Sequence, residues 1–328
     1  MFLLALAAAA SGPQPGALKT FTDWTVGCDN TRACRAVALV PENEDREGYL
    51  LLVVDRGGGP DARPVVSFTT GTEPAAGRRT LRVDGKPVAQ ATGDALPFNR
   101  ALASALGDGK RATLTDATGR TVASASLVGL AAAFLYMDEQ QRRLDTAGAL
   151  RRTGPKPDSA VPPPPAPPRI AQPPVASGPP RTIPAARAAA LIGPDNATCE
   201  YAQGAVEPAA HRLDARTTLV LVQHPCGNGA YNIMTSAYLV DEAGRASPAQ
   251  FDVAPGMSPD ASNVLVNADW DPQARRLTEF VKARGLGDCG GSGAYAWDGA
   301  RFRLVESSQM GECRGSTDYI TNWRADAR

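Results

Sequence analysis

Apolar side chains in the first half of the chain fall into short runs, some alternating with polar residues and some filling every position, with turn-forming residues between them. Such runs predict strands over 24–28, 34–40, 49–54, 65–69, 80–83, 111–115 and 121–126. Asp84-Gly85 and the neighbourhood of Thr118-Gly119 offer hairpin turns, because glycine accepts the positive φ of a tight turn. Two stretches instead follow helical spacing. In 97–106, Phe98, Leu102 and Leu106 share a face, and Gly107 serves as the stop. After Ser126, Leu127, Leu130, Ala131, Phe134 and Leu135 form a second apolar face, with Arg142 and Arg143 near the negative helix end.

The second half reads as strand again, over 218–223, 231–240, 264–268, 277–282, 294–297 and 302–305, with a short helix at 184–192. Two hairpins look alike. Trp270-Asp271 turns into Arg276-Leu277, and 27 residues later Trp297-Asp298-Gly299 turns into Arg301-Phe302, a spacing that suits a meander or a blade. Two copies are weak evidence of a repeat, and ordinary hairpins with Asp-Gly or Asp-Pro turns are the favoured explanation. The fold class is therefore mainly β (α+β). The first domain is a β-sandwich or barrel-like sheet with two packing helices, and the second an antiparallel β meander or sandwich.

The two patterned regions are separated by residues 154–184, which hold 13 of the 28 prolines. Proline favours the polyproline II conformation, so this segment reads as a semi-rigid linker that could reach roughly 90 Å at about 3.1 Å per residue. The division is thus an N-terminal domain over 18–153, a linker over 154–184 and a C-terminal domain over 185–328. A length of 328 residues suits two cores better than one.

Residues 1–12, MFLLALAAAASG, form an apolar run ending in small side chains, as in the core and cleavage site of a secretory signal peptide. Cleavage after Ala10 or Ala17 fits, and 1–17 is assigned as the leader. The other long apolar stretch, 125–137, is too short to span a bilayer core, which needs about 20 residues, so no span is expected in the mature chain. The 34 basic and 34 acidic side chains cancel, which argues against nucleic acid as a partner. Before residue 185 there are 21 basic and 17 acidic residues, and after it 13 and 17, so the halves carry about +4 and −4 and attract one another mildly.

Six cysteines stand at Cys28, Cys34, Cys199, Cys226, Cys289 and Cys313. Two lie before the linker and four after it, so bridges confined to each half leave three pairings, of which neighbour-to-neighbour is favoured. No pair has the two-residue spacing of zinc or thioredoxin-like sites, so structural bridges are expected, in an oxidising compartment.

Only His211 and His224 are available for imidazole chemistry, which disfavours a serine-hydrolase triad or a multi-histidine metal site. No cofactor, metal or catalytic residue is assigned. Asp269, Asp271, Asp288 and Asp298 lie among tryptophans and glycines, the setting of many glycan clefts; a glycosidase would need two carboxyls about 5–10 Å apart. Segment 285–293 holds five glycines beside Lys282 and Arg284, which suits either an anion-binding nest or a loop bent to reach a disulfide. The loop between Cys28 and Cys34 would display Asn30, Thr31 and Arg32. The candidate binding residues are Asn30, Arg32, Trp270, Asp271, Arg284, Asp288 and Trp297.

The pieces FTDWTVGCDNTRAC, SLVGLAAAFLYMDEQQRRLDTAGAL and DWDPQARRLTEFVKARGLGDCGGSGAYAWDGARFRL resemble an exported proteobacterial family that bears only a domain-of-unknown-function label. The first half, with its Asp-Trp-to-Cys opening and Ser-Leu-x-Gly helix start, is also similar to the invasion-associated locus B family. That resemblance implies a periplasmic β-rich domain with no catalytic residue to carry over. The expected function is a non-enzymatic periplasmic binding or envelope-associated protein whose partner is an envelope protein or a glycan. The alternative is an envelope glycan hydrolase using an Asp pair in the C-terminal domain.

Overall fold

The computed structural model describes residues 12–44, 48–70, 77–91, 93–256 and 263–328. Most of the expected leader therefore lies outside the described residues. The chain is mostly β, with 38% strand and 12% helix. Its first part contains β1 (Lys19–Phe21), β2 (Trp24–Cys28), β3 (Cys34–Ala38), β4 (Leu50–Arg56), β5 (Val65–Thr70), β6 (Arg79–Val83), β7 (Lys86–Ala91), β8 (Ala95–Leu96), α1 (Arg100–Asp108), β9 (Arg111–Thr115), β10 (Thr121–Ser126) and α2 (Leu130–Gln140). One antiparallel sheet has the order β1-β2-β3-β4-β5-β8, and a second has the order β10-β9-β6-β7. Their inner faces, represented by Trp24, Leu50 and Leu52 on one sheet and Leu81, Leu114 and Ala125 on the other, share a core with both helices.

The helices differ in detail from their sequence pattern. Asn99 caps α1 by accepting the Leu102 amide at 2.8 Å, and the helix runs through Gly107 to Asp108. On α2 the buried stripe is Leu130, Ala133, Phe134 and Met137, whereas Leu135 is exposed. Gly129, with φ 102°, starts the helix against the Phe21 carbonyl, 1.8 Å from where a Cβ would sit, so only glycine fits there. Arg143 does not cap the helix end; its fully buried side chain reaches the carbonyls of Gly59, Pro60 and Ala62.

The proline-rich segment lies along the protein instead of extending away from it. Its strand β11 (Arg169–Ile170) pairs in parallel with the last strand of the chain, Arg169 opposite Asp326 and Ile170 opposite Ala327. Polyproline II leaves its carbonyls without internal donors. Arg275 donates to Pro173 O at 2.6 Å and Arg212 to Pro179 O at 2.9 Å, while Val161 and Ile183 are buried.

Beyond it come α3 (Ala185–Ile192), β12 (Pro208–Arg212), β13 (Thr218–Gln223), β14 (Met234–Val240), β15 (Ala246–Pro248), β16 (Val264–Val266), β17 (Asp269–Asp271), β18 (Arg276–Lys282), β19 (Gly290–Trp297), β20 (Phe302–Met310), β21 (Ile320–Arg324) and β22 (Asp326–Ala327). Strands β17 to β21 form a five-stranded antiparallel meander. Strands β12 to β15 form a second sheet in sequence order, with β16 joined to β14. Alternation in β13 sends Leu219 and Leu221 toward the meander and Val220 and Val222 toward α3. The two similar hairpins are alternate turns of the meander, β17–β18 and β19–β20, and Trp270 and Trp297 enter one core.

The halves meet face to face. Val37, Leu39 and Val53, from the outer face of the six-stranded sheet, pack against Cys289, Met310 and Ile320 of the meander. The layers therefore run from the four-stranded sheet and helices, through the six-stranded sheet and the meander, to the second sheet and α3. Among the described residues no sheet closes into a barrel, and no helix is long and apolar enough to cross a membrane.

Candidate functional site

The sequence-predicted binding residues fall into two groups, both held by the fold. Trp270 and Trp297 are buried in the second-half core, where the Trp297 indole donates to Asp214 at 2.6 Å. Asp271 accepts the amides of Gln273 and Ala274 at 2.8 Å, and Asp298 those of Ala300 and Arg301 at 2.8 Å, so each anchors its own hairpin turn. Arg284 grips Asp288 through two bonds of 2.7 and 2.5 Å and donates to the Cys313 carbonyl, while Asp288 also accepts Gly315 N. These contacts clamp the Cys289–Cys313 bridge. Gly290, Gly291 and Gly293 lie within β19, where the ladders to β18 and β20 take up their backbone, so they form no free nest.

Asn30 and Arg32 sit in the loop closed by Cys28–Cys34. The Asn30 side chain bonds the backbone of Arg324 in both directions, at 2.9 and 2.8 Å, as a strand neighbour would. Arg32 takes φ 63°, and its carbonyl accepts from Gln141. Arg314 completes the clamp, donating to Val40 O, Thr22 O and the Asp23 carboxylate. The third bridge joins Cys199 to Cys226. His224 is buried against Ser236 at 2.8 Å, and His211 lies beside Trp270 with ring centroids 6.1 Å apart.

A cleft of about 490 Å³ opens elsewhere, in the first half, and none of the predicted residues lines it. It forms where β4 ends at Arg56, where the loop through Pro60, Arg63 and Pro64 turns back, and where Phe98, Asn99 and Arg100 lead into α1. The segment 148–149 and Asp158 close the other side. Arg56 is only 4% exposed. It donates to Gly148 O at 2.8 Å and stands 3.8 Å from Asp138, yet its Nη1 is buried without an acceptor among the described residues.

Behind it lie Arg143 and Asp138, both fully buried. Asp138 accepts the amides of Leu150, Arg151 and Arg152, and Arg143 stands 3.7 Å from Asp158. Burial, reinforced by repulsion from Arg143, pulls the Arg56 guanidinium down to about 10. Burial likewise lowers Arg143 and raises Asp138. Arg100 donates to the carbonyls of Ala147 and Ala149. Arg63 is exposed and makes no hydrogen bond or ion pair among the described residues.

Such a set can hold an anion. Guanidiniums offer planar donor forks, and the cleft also takes in the start of α1, the positive end of that helix. Pattern reading passes over it because arginine at a strand end or in a turn usually signals solvent. The one visible hint is Asp55-Arg56-Gly57-Gly58-Gly59-Pro60-Asp61-Ala62-Arg63-Pro64, where two arginines flank a glycine- and proline-containing turn.

Asp23, Asp29, Asn30, Arg284 and Asp288 join the halves or brace their bridges. Residues 18–326 match the family described as "Protein of unknown function (DUF1176)". The chain belongs to this family. Uncharacterized protein YpfG of Escherichia coli (strain K12) is 27% identical over 335 residues, covering 94% of this chain and 92% of that protein. The crystal structure of invasion associated protein b from Bartonella henselae is a partial structural relative. It has a TM-score of 0.30 and 20% identity, covering 38% of this chain and 99% of the other.

Proposed function

We propose that this DUF1176-family protein is exported to the periplasm of a Gram-negative cell and works there as a non-enzymatic binding protein, with the arginine-lined cleft of its first half as the ligand site. The observation that carries the reading is the gathering of Arg56, Arg63 and Arg100 on the wall of a cleft of about 490 Å³, where the exposed Arg63 guanidinium makes no hydrogen bond or ion pair among the described residues. That volume lies in the range of small-molecule sites, roughly 300–1,000 Å³. An anionic ligand in the cleft would be met by the positive charge that these side chains gather there. Support for the location comes from the bridges Cys28–Cys34, Cys199–Cys226 and Cys289–Cys313, which persist in oxidising compartments.

The test is to release the protein from cells by osmotic shock and examine it by native mass spectrometry. The reading expects six thiols unreactive to alkylation and a non-covalent low-mass adduct that is lost on Arg63→Gln. Cytosolic recovery with free thiols would refute the location. A ligand-free protein under several growth conditions would refute the binding role.

A further inference from the structure

We infer that the cleft selects a small monocarboxylate with an apolar body, an assignment that rests on the binding role proposed above. The charges near the cleft are Arg56, Arg63, Arg100 and Arg143 against Asp61, Asp138 and Asp158. Four cations against three anions leave +1. One carboxylate neutralises that remainder, whereas a phosphate dianion would leave an excess negative charge in a partly buried space, where it is costly.

The geometry agrees with the count. Arg56 and Arg143 are largely spent on backbone carbonyls and on the Asp138 and Asp158 carboxylates. Arg63 at the mouth keeps its whole donor fork, and a planar guanidinium matches a carboxylate through two parallel bonds. Asn99 and Arg100 flank the same opening at the start of α1, adding its dipole. The remaining wall is Phe98, Pro60, Pro64 and Ala103, an apolar surface that a bare inorganic ion would leave unused.

Titration calorimetry of the full exported chain, bridges intact, tests this with phenylacetate, phenylacetamide and phenyl phosphate. Phenylacetate should bind saturably with a Kd of about 1 mM or tighter, as for a fragment. Phenylacetamide, equal in shape but uncharged, should bind at least about tenfold more weakly, as should phenyl phosphate. Arg63→Gln, an exposed change that leaves the core intact, should weaken phenylacetate about tenfold. Arg63→Lys should recover only part of that, because lysine keeps the charge but not the fork. Equal binding of acid and amide, tighter binding of the phosphate, or indifference to Arg63→Gln would overturn the carboxylate assignment. The two failures are separable. No phenylacetate binding alongside a native adduct of another class sinks this inference and leaves the binding role standing, whereas no adduct and no binding sink both.

Discussion

Arg324, on the last strand of the meander, donates at 2.8 Å to the carboxylate of Asp29, which lies inside the first disulfide loop nearly three hundred residues earlier. Asp29 is buried and also accepts the amides of Thr31 and Ala33. One carboxylate therefore shapes a local turn and ties the two halves together.

Asp29→Ala should destabilise the protein by about 3 kcal/mol, because the turn amides and Arg324 lose their acceptor together. Arg324→Ala should cost less, about 1 kcal/mol, since that side chain is half exposed and screened. Urea denaturation of both single variants and the double variant closes a cycle with a coupling of about 1 kcal/mol. Purely additive losses would show that the pair does not join the halves.

Asp138 is expected to be the most sensitive residue beneath the cleft. Alanine there removes the acceptor for three consecutive amides, Leu150 to Arg152, and the countercharge of Arg56. A loss of about 4 kcal/mol is expected. Asp138→Asn, which retains an acceptor oxygen, should lose roughly half as much. Equal loss for both variants would mean that the carboxylate charge opposite Arg56, and not a single retained acceptor, is what Asp138 contributes.

Many strand positions were legible because half-buried strands alternate, and because Asp-Gly signals mark turns chemically. Short edge strands such as β1, β11 and β22 were not, since two or three residues carry no period. The structural roles of the binding candidates were hidden for a related reason. Trp270, Trp297, Asp271 and Asp298 have the composition of a glycan site, but meander packing turns the rings inward and spends the carboxylates on turns. Nothing in the pattern marks Arg56, and Arg143 reads as a helix-end charge, because only the three-dimensional path of 59–62 and 147–158 buries them.

The leader is expected to be cut after Ala10. Gly16 is part of the fold: its amide donates to Asn322 O at 2.9 Å and its carbonyl accepts from Asn322 Nδ2 at 2.8 Å. A Cβ at Gly16 would lie 2.4 Å from the Cys28 carbonyl, so only glycine permits that approach. Amino-terminal sequencing of the exported protein should begin at Ser11. A start at Leu18 would discard both bonds and contradict the prediction.

The proline-rich segment should be protected from trypsin by the C-terminus. Deleting 325–328 removes the partner of β11 and the donors to Pro168 and Ile170. Cleavage after Arg169 should then accelerate at least about tenfold, since proteolysis of a locally opened segment follows its opening equilibrium. An unchanged rate would mean that the side-chain donors Arg212 and Arg275 hold the segment alone.

Acidification should weaken the second half through its histidines. Burial holds the His224 ring below its ordinary value of 6.5, and His211 is shifted the same way by burial, opposed by Asp269. The folded chain thus favours the neutral rings, while the unfolded chain takes up protons near pH 6.5. Their contribution is complete above that value and is lost as pH falls through it toward the lower folded value, at about 1.4 kcal/mol per unit of separation. Glu279 and Asp138 act in the opposite sense. Burial raises both, so their contribution is present at low pH and is lost as pH rises through the raised folded values. Urea midpoints at about pH 7.5 and about pH 5.5 separate the two effects when wild type is compared with His224→Gln. The variant should lose less stability between the two pH values than wild type does, and identical losses would remove His224 as a source of the acid sensitivity.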